Sequence, residues 1–194
     1  MTELSRNAQV LRFLLEAAPG VGHTKLAKFA YLADLEARKH LGRAISKFRY
    51  VLAKNGPFDA RGFFGARDEL VSQGYATETE VPCGPYRGYE LRPTPKAPEY
   101  SFSVPEAAVL RYVAVTYLAM SARDLCEDVV YETEPVKRKG LKVGEKLPMD
   151  EVNREEKEEL GFDLERMLAG EQSAEEGRVR SLAEALGELR ARHR

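Results

Sequence analysis

The residues best suited to nucleophilic catalysis or metal binding are few and widely separated. The chain has two cysteines, Cys83 and Cys126, and three histidines, His23, His40 and His193. None of them stand together at the short spacings that zinc ligands use, and the neighbours of Cys83 supply no base that would activate a thiolate. We expect Cys126, beside an apolar helix position, to be a buried structural thiol. The sequence predicts no metal site and no cofactor site.

A glycine-containing segment and two carboxylates are the next candidates for chemistry. Segment 19–25 places a lysine after two glycines, but it lacks the rest of the phosphate-loop spacing, and no strand precedes it. We interpret it as a turn between helices. We expect a surface or capping role for Asp34 and a capping or orienting role for Asp59, because neither has an acid–base partner nearby in the sequence. The sequence therefore predicts no catalytic residue and a protein that is not an enzyme.

Basic residues form the one pattern that favours an anionic ligand. Few acids interrupt segment 25–54, and in a winged-helix domain its cations, with those of the next helix and hairpin, would contact phosphates. The candidates are Lys25, Lys28, Lys47, Arg49, Lys54, Arg61, Arg67 and Arg87. The net charge is −1 and three acids share the predicted recognition helix with two arginines, which is poor for entering a DNA groove. We therefore favour a solvated face and keep DNA binding as the alternative.

Helical periodicity and capping residues predict the elements that position these groups. Helices are predicted over 5–17, 24–40 and 58–74, with Thr24 as an N-cap, Gly42 as a helix end and Pro57 in the first turn of the third helix. Segment 45–53 is predicted as a short strand, and alternation over 75–81 and 89–91 predicts a β-hairpin. Later helices are predicted to begin after the capping residues Ser103, in a capping box with Glu106, and Ser121.

Three helices followed by a hairpin are the order of a winged-helix domain. The hairpin needs a helix to pack on, because an isolated two-stranded hairpin is marginal in water. The predicted fold class is mainly α (α+β): a helical domain over 1–147 with a winged-helix-like β-hairpin, and a charged C-terminal helical extension over 148–194. The extension could bind in a partner's groove, pack on the chain's own core, or form a homodimer. The sequence does not decide among these three alternatives.

Composition restricts the class of protein and its location. The chain has 194 residues, of which 43% are hydrophobic and 31% charged, typical of a globular domain. No apolar run is long enough to cross a bilayer, and the N-terminus lacks a basic start followed by an apolar stretch. Two isolated cysteines suit a reducing compartment. We therefore expect a cytoplasmic protein with no membrane contact.

Four segments resemble the SocA-like, or Panacea, domain family. Segment 23–34 resembles the family's "KLxKLxYLA" opening, and 55–58 its tyrosine-glycine-proline turn. Segment 68–75 is similar to the helix end that follows, and 121–125 with Glu134-Pro135 to a later stretch. The resemblance spans roughly residues 8 to 140. Asn55 replaces the family's tyrosine, and Val136 replaces its tryptophan.

The resemblance implies a protein that binds without catalysing a reaction. Members of that family act as antitoxins that neutralise a protein toxin, or as adaptors that present it to an ATP-dependent protease. The motif positions are then expected to be structural: Leu26, Tyr31, Leu32, Gly56, Pro57, Leu70, Gly74 and Leu125. The expected function is an antitoxin-like or adaptor protein of a toxin–antitoxin system or mobile element. The alternatives are a winged-helix DNA-binding regulator and, third, a small hydrolase with an unrecognised site.

Overall fold

Helices and short strands alternate along the chain, and the computed structural model describes residues 3–137 and 140–152. The class is mixed α+β, as predicted. In the first part of the chain the elements are α1 (Arg6–Ala17), β1 (Val21–Gly22), α2 (His23–Leu41), β2 (Val51–Ala53), β3 (Gly56–Phe58), α3 (Ala60–Ser72), β4 (Ala76–Cys83) and β5 (Tyr86–Pro93). The later helices are α4 (Val104–Thr116), α5 (Ala122–Asp124) and α6 (Glu134–Lys137).

The first two helices begin and end where local signals place them, with one exception. The Ser5 hydroxyl accepts from the backbone N–H of Ala8 and caps α1. Gly42 ends α2 with a φ of 75°, the left-handed conformation that favours glycine at a helix end. The predicted cap at Thr24 is wrong: α2 begins at His23 after Gly22, because Gly22 is already extended and paired in β1.

The main sheet has the strand order β1-β5-β4 and confirms the predicted hairpin. β4 and β5 pair antiparallel along their full length, with Thr79 opposite Glu90. β1, which lies between the first two helices, pairs antiparallel with β5 through Val21 and Leu91. This short strand extends the hairpin to a three-stranded antiparallel sheet.

A second, smaller sheet of β2 and β3 corrects two predictions. Of the predicted strand 45–53, only Val51–Ala53 is a strand. Pro57 lies in β3 opposite Leu52, not in the first turn of α3. The buried Lys28 ammonium donates to the Pro57 carbonyl and holds this residue against α2, so the helix starts only at Ala60.

The core lies around α2, which packs against α1 on one side and α4 on the other. Leu26, Phe29, Tyr31 and Leu35 are at most 1% exposed, so α2 is buried over most of its circumference. α4 brings Leu110 and other apolar side chains to this core. Burial of these side chains is the main force that holds the helices together.

The helices after the hairpin start at the predicted caps. Ser103 and Glu106 form the predicted capping box of α4, and Ser121 caps α5. α5 continues directly into a π-helical turn, Leu125–Val129, and a 3₁₀ turn, Val130–Glu132. The predicted extension over 148–194 lies outside the described residues except for 148–152, where Met149–Glu151 forms a 3₁₀ turn.

Candidate functional site

The helix α3 follows β3 along the chain and leads into the hairpin of β4 and β5. Asp59 fixes its start: one carboxylate oxygen accepts from the Gly62 N–H at 2.9 Å, and the other from the Arg49 N–H at 2.8 Å. This confirms the expected capping role of Asp59. Gly74, with a φ of 74°, reverses the chain into β4. One side of α3 is therefore held in the core, and the opposite side faces outward.

The outward side of α3 carries two large apolar side chains and two charged groups of opposite sign. Phe63, Ala66 and Leu70 point into the core. Phe64 and Val71 face outward and are 38% and 40% exposed, among the few large apolar side chains with such exposure in the described residues. Between the exposed terminal residues Ala60 and Ser72, the outward face carries Arg61, Phe64, Gly65, Asp68 and Val71. We call these five residues the α3 face.

Phe64 belongs to a cluster of contacting aromatic rings. Its ring lies 5.6 Å from Phe63, 5.9 Å from Phe58 and 5.9 Å from His23, measured between centroids. Tyr89 of β5 stacks on the His23 ring at 5.6 Å with 10° between the planes, and it is 41% exposed. Residues from α2, β3, α3 and the hairpin thus meet at one apolar surface, a kind of surface that often marks an interaction site.

Ion pairs fix the polar side of the cluster. Glu78 of β4 accepts from His23 Nε2 at 2.7 Å and from an Arg67 guanidinium nitrogen at 3.0 Å. Burial opposes the charge on Glu78, but its hydrogen bonds with Arg67 and His23 outweigh this and lower the pKa of the carboxyl group. Arg67 also lies over the Phe64 ring at 5.0 Å. These contacts orient His23 and Arg67 toward the protein itself.

The predicted phosphate contacts do not form one free basic face. Lys28 is 2% exposed and donates to the Pro57 carbonyl at 2.7 Å, so its ammonium has no surface for a phosphate. Lys25 donates to the carbonyls of Leu118 and Met120. Two more of the candidates are paired with carboxylates, Arg67 with Glu78 and Arg87 with Glu80. Five of the eight candidates keep exposed side chains: Lys47, Arg49, Lys54, Arg61 and, despite its ion pair, Arg87.

The residues of the family-like motifs occupy structural positions. Seven are buried: Leu26, Tyr31, Leu32, Gly56, Pro57, Leu70 and Leu125. Gly74 is exposed at the end of α3. Gly56 has a φ of 84°, and a Cβ there would lie 3.3 Å from Val130, so both its backbone conformation and its surroundings require glycine.

A buried polar network around Asp34 was missed by sequence reasoning. The expected surface or capping role is wrong, because Asp34 is 1% exposed. Its carboxylate accepts from the backbone N–H groups of Ile45 and Ser46 and from the hydroxyls of Ser46 and Tyr50. One feature of the sequence could have indicated that Asp34 is buried: it lies between two apolar residues, Ala33 and Leu35. The network fixes the chain that leads from α2 to β2.

Two further groups of titratable residues lie elsewhere in the described part of the chain. Cys126 is buried, as predicted, and burial raises the pKa of its thiol, which disfavours the thiolate. An open cavity of about 620 Å³ lies beside Arg6, Arg43 and Glu106, where the carboxylate is paired with both arginines. No three His, Cys, Asp or Glu side chains of residues 3–137 and 140–152 are grouped to hold a metal ion. Over the same residues, no helix combines the length and apolarity needed to span a bilayer.

Comparison with known proteins adds no relative. No protein-family model, curated protein or solved structure matches the chain.

Proposed function

We propose that the chain is an antitoxin-like or adaptor protein, which binds and neutralises a protein toxin. The proposal starts from the resemblance of the motif segments to the SocA-like family. The observation that carries it is the composition of the α3 face, which presents Phe64 and Val71 together with one cation, Arg61, and one anion, Asp68. Exposed aromatic and aliphatic groups with little net charge are typical of the centre of a protein–protein interface.

The same observation disfavours the DNA-binding alternative. A helix that reads DNA needs cations for phosphates and donors for base edges. The α3 face offers a single arginine, and Asp68 would meet the phosphates with like charge. On the hairpin that would serve as the wing, Arg87 is paired with Glu80. Protein is therefore the better partner for this half of the molecule.

A neutralisation assay tests the proposed function. Each open reading frame that flanks the gene is induced in a bacterial host, alone and together with the full chain. We expect one of them to arrest growth, co-expression to restore it, and the two proteins to co-purify. A copy of this gene with an early stop codon is the control for transcription. If no neighbour is toxic, or if toxicity persists despite expression of the full chain, the proposal is wrong.

A salt titration tests the DNA-binding alternative. The purified chain is titrated into a labelled random-sequence duplex at low ionic strength, and anisotropy is followed as salt is added. We expect no binding. Binding that weakens log-linearly with salt, and that Arg61→Ala weakens further, would favour the DNA-binding regulator over the toxin-binding protein.

A further inference from the structure

The residues of the α3 face are arranged symmetrically along the helix. Phe64 and Gly65 lie at the centre of this face. Arg61 lies three residues before Phe64, and Asp68 lies three residues after Gly65. All of them point outward on one side, because residues three and four apart share a helix face. When a second copy of this helix lies antiparallel across the face, its anion meets the cation of the first copy, and its cation meets the anion. The face is therefore complementary in charge to itself.

We propose that the α3 face binds a second copy of this chain, with the two α3 helices antiparallel about a twofold axis between Phe64 and Gly65. Such an interface is isologous, so each contact occurs twice. It brings Arg61 of each copy opposite Asp68 of the other, making two ion pairs. The inference rests on the proposed function in one respect, that the α3 face binds protein. In the absence of a toxin, the second copy occupies this same face.

Gly65 allows the two helices to approach closely at the centre. A Cβ at Gly65 would meet nothing within 4 Å, so the helix surface next to Phe64 is open and carries no side chain at this position. The twofold axis places Phe64 of one copy over Gly65 of the other. The second copy would then cover Phe64, which is 38% exposed in the single chain. This removes apolar surface from water, a stabilisation that the monomer lacks.

Apolar surface continues to both ends of this contact. Phe58 lies 5.9 Å from Phe64 between ring centroids, at the N-terminal side of α3, and Val71 lies at the C-terminal side. The antiparallel arrangement brings Val71 of one copy toward Phe58 of the other. Val71 is 40% exposed in the single chain. The apolar centre, flanked by charged pairs, has the composition of a protein interface.

The charged groups of the α3 face are available for these pairs. Within the described part of the chain, the Arg61 guanidinium has no hydrogen bond or ion pair. Asp68 is paired with its neighbour Arg67 at 2.7 Å but keeps 67% of its side chain exposed. A carboxylate with that exposure can accept a second guanidinium. Charge complementarity therefore favours a second copy over a uniformly basic or acidic partner.

A charge-exchange series tests the dimer. Sedimentation equilibrium of the full chain over micromolar concentrations should show a reversible dimer. Arg61→Asp and Asp68→Arg should each raise the dimer Kd by about tenfold or more, since each places like charges opposite one another. The double variant restores opposite charges across the axis and should return the Kd toward wild type. Arg123→Asp, at an exposed ion pair on α5, is the matched control and should leave the Kd unchanged.

A second variant separates the dimer from the stability of the chain. Gly65→Gln places a side chain where the two helices would meet, but it suits an exposed helix position, so the monomer should keep or raise its thermal unfolding midpoint while dimerisation is lost. A monomer at all concentrations overturns the proposal. So does a dimer that is unaffected by Arg61→Asp, or a double variant that stays monomeric. A dimer that does not neutralise a toxin would contradict the proposed function and leave this inference standing. A monomeric chain that neutralises a toxin would contradict this inference and leave the proposed function standing.

Discussion

The hydroxyl of Tyr50 donates a 2.8 Å hydrogen bond to the carboxylate of Asp34 inside the core. The two residues are 5% and 1% exposed, so neither group is compensated by water when the contact is lost. Tyr50 also packs edge-on against Tyr31 at 5.3 Å between ring centroids. Asp34 therefore ties the segment before β2 to the centre of α2.

Removing the Asp34 carboxylate should destabilise the whole fold. Asp34→Ala leaves four donors without an acceptor, among them the backbone N–H groups of Ile45 and Ser46. We expect a loss of about 3 kcal/mol or more in the free energy of unfolding, measured by urea denaturation. Tyr50→Phe removes only one donor and should cost about 1 kcal/mol. Equal losses in the two variants would contradict this account.

Lys28 should make stability rise with pH in the alkaline range. Burial lowers the pKa of its ammonium to about 8 in the folded chain. Below pH 8 the lysine is charged in both states, and the cost of burying its charge is constant. Between pH 8 and the ordinary lysine pKa, only the unfolded chain holds the proton, so the free energy of unfolding rises with pH.

Comparison with Lys28→Met isolates this effect from the titration of other groups. The difference in unfolding free energy, wild type minus variant, should increase from pH 8 to pH 10 by on the order of 2 kcal/mol. It is measured by urea denaturation at each pH. A difference that stays flat over this range would show that Lys28 keeps its ordinary pKa.

Glu106 should stabilise the chain at neutral pH and lose this effect in acid. Burial opposes its charge, but the Ser103 N–H and the Arg6 guanidinium outweigh burial and lower the pKa of the carboxyl group. A lowered pKa in the folded chain contributes stability above the ordinary glutamate value, and that stability is lost as the pH falls below it.

The variant Glu106→Gln should therefore be less stable than wild type at pH 7. The difference should shrink as the pH falls below about 4, because the unfolded chain takes up the proton at its ordinary glutamate pKa, while the folded chain does so only at a lower pH. Thermal unfolding followed by circular dichroism at each pH measures it. Glu132→Gln, at an exposed ion pair with Lys137, is the control and should change little at either pH.

Two glycines should respond to alanine with opposite signs. Gly56→Ala forces a side chain into a backbone conformation with a φ of 84° and against Val130 and Lys28, so we expect a loss of at least about 1 kcal/mol. Gly65→Ala adds a Cβ in open space on a helix, and the monomer should gain about 0.5–1 kcal/mol. Chemical denaturation at low protein concentration measures both, and a gain for Gly56→Ala would contradict the assigned conformation.

The sequence by itself determined the features that depend on neighbours a few residues away. The Ser5 and Ser103 caps, the Gly42 helix end and the hairpin of β4 and β5 were all predictable, because caps, turns and strand alternation act over at most a turn of helix or a strand pair. The family resemblance came from the same local motifs. It predicted a function that the structure leaves as a proposal.

Only the tertiary structure decided which charged groups are buried and which surface is left outside. The sequence predicts a surface or capping role for Asp34, but in the fold Tyr50 and Ser46 donate to its carboxylate and bury it. The sequence also predicts a phosphate contact for Lys28, but in the fold its ammonium donates to the Pro57 carbonyl. These partners lie between 12 and 29 positions away in the chain. The free energy of a buried charge depends on such distant donors and acceptors, and helical periodicity carries no information about them.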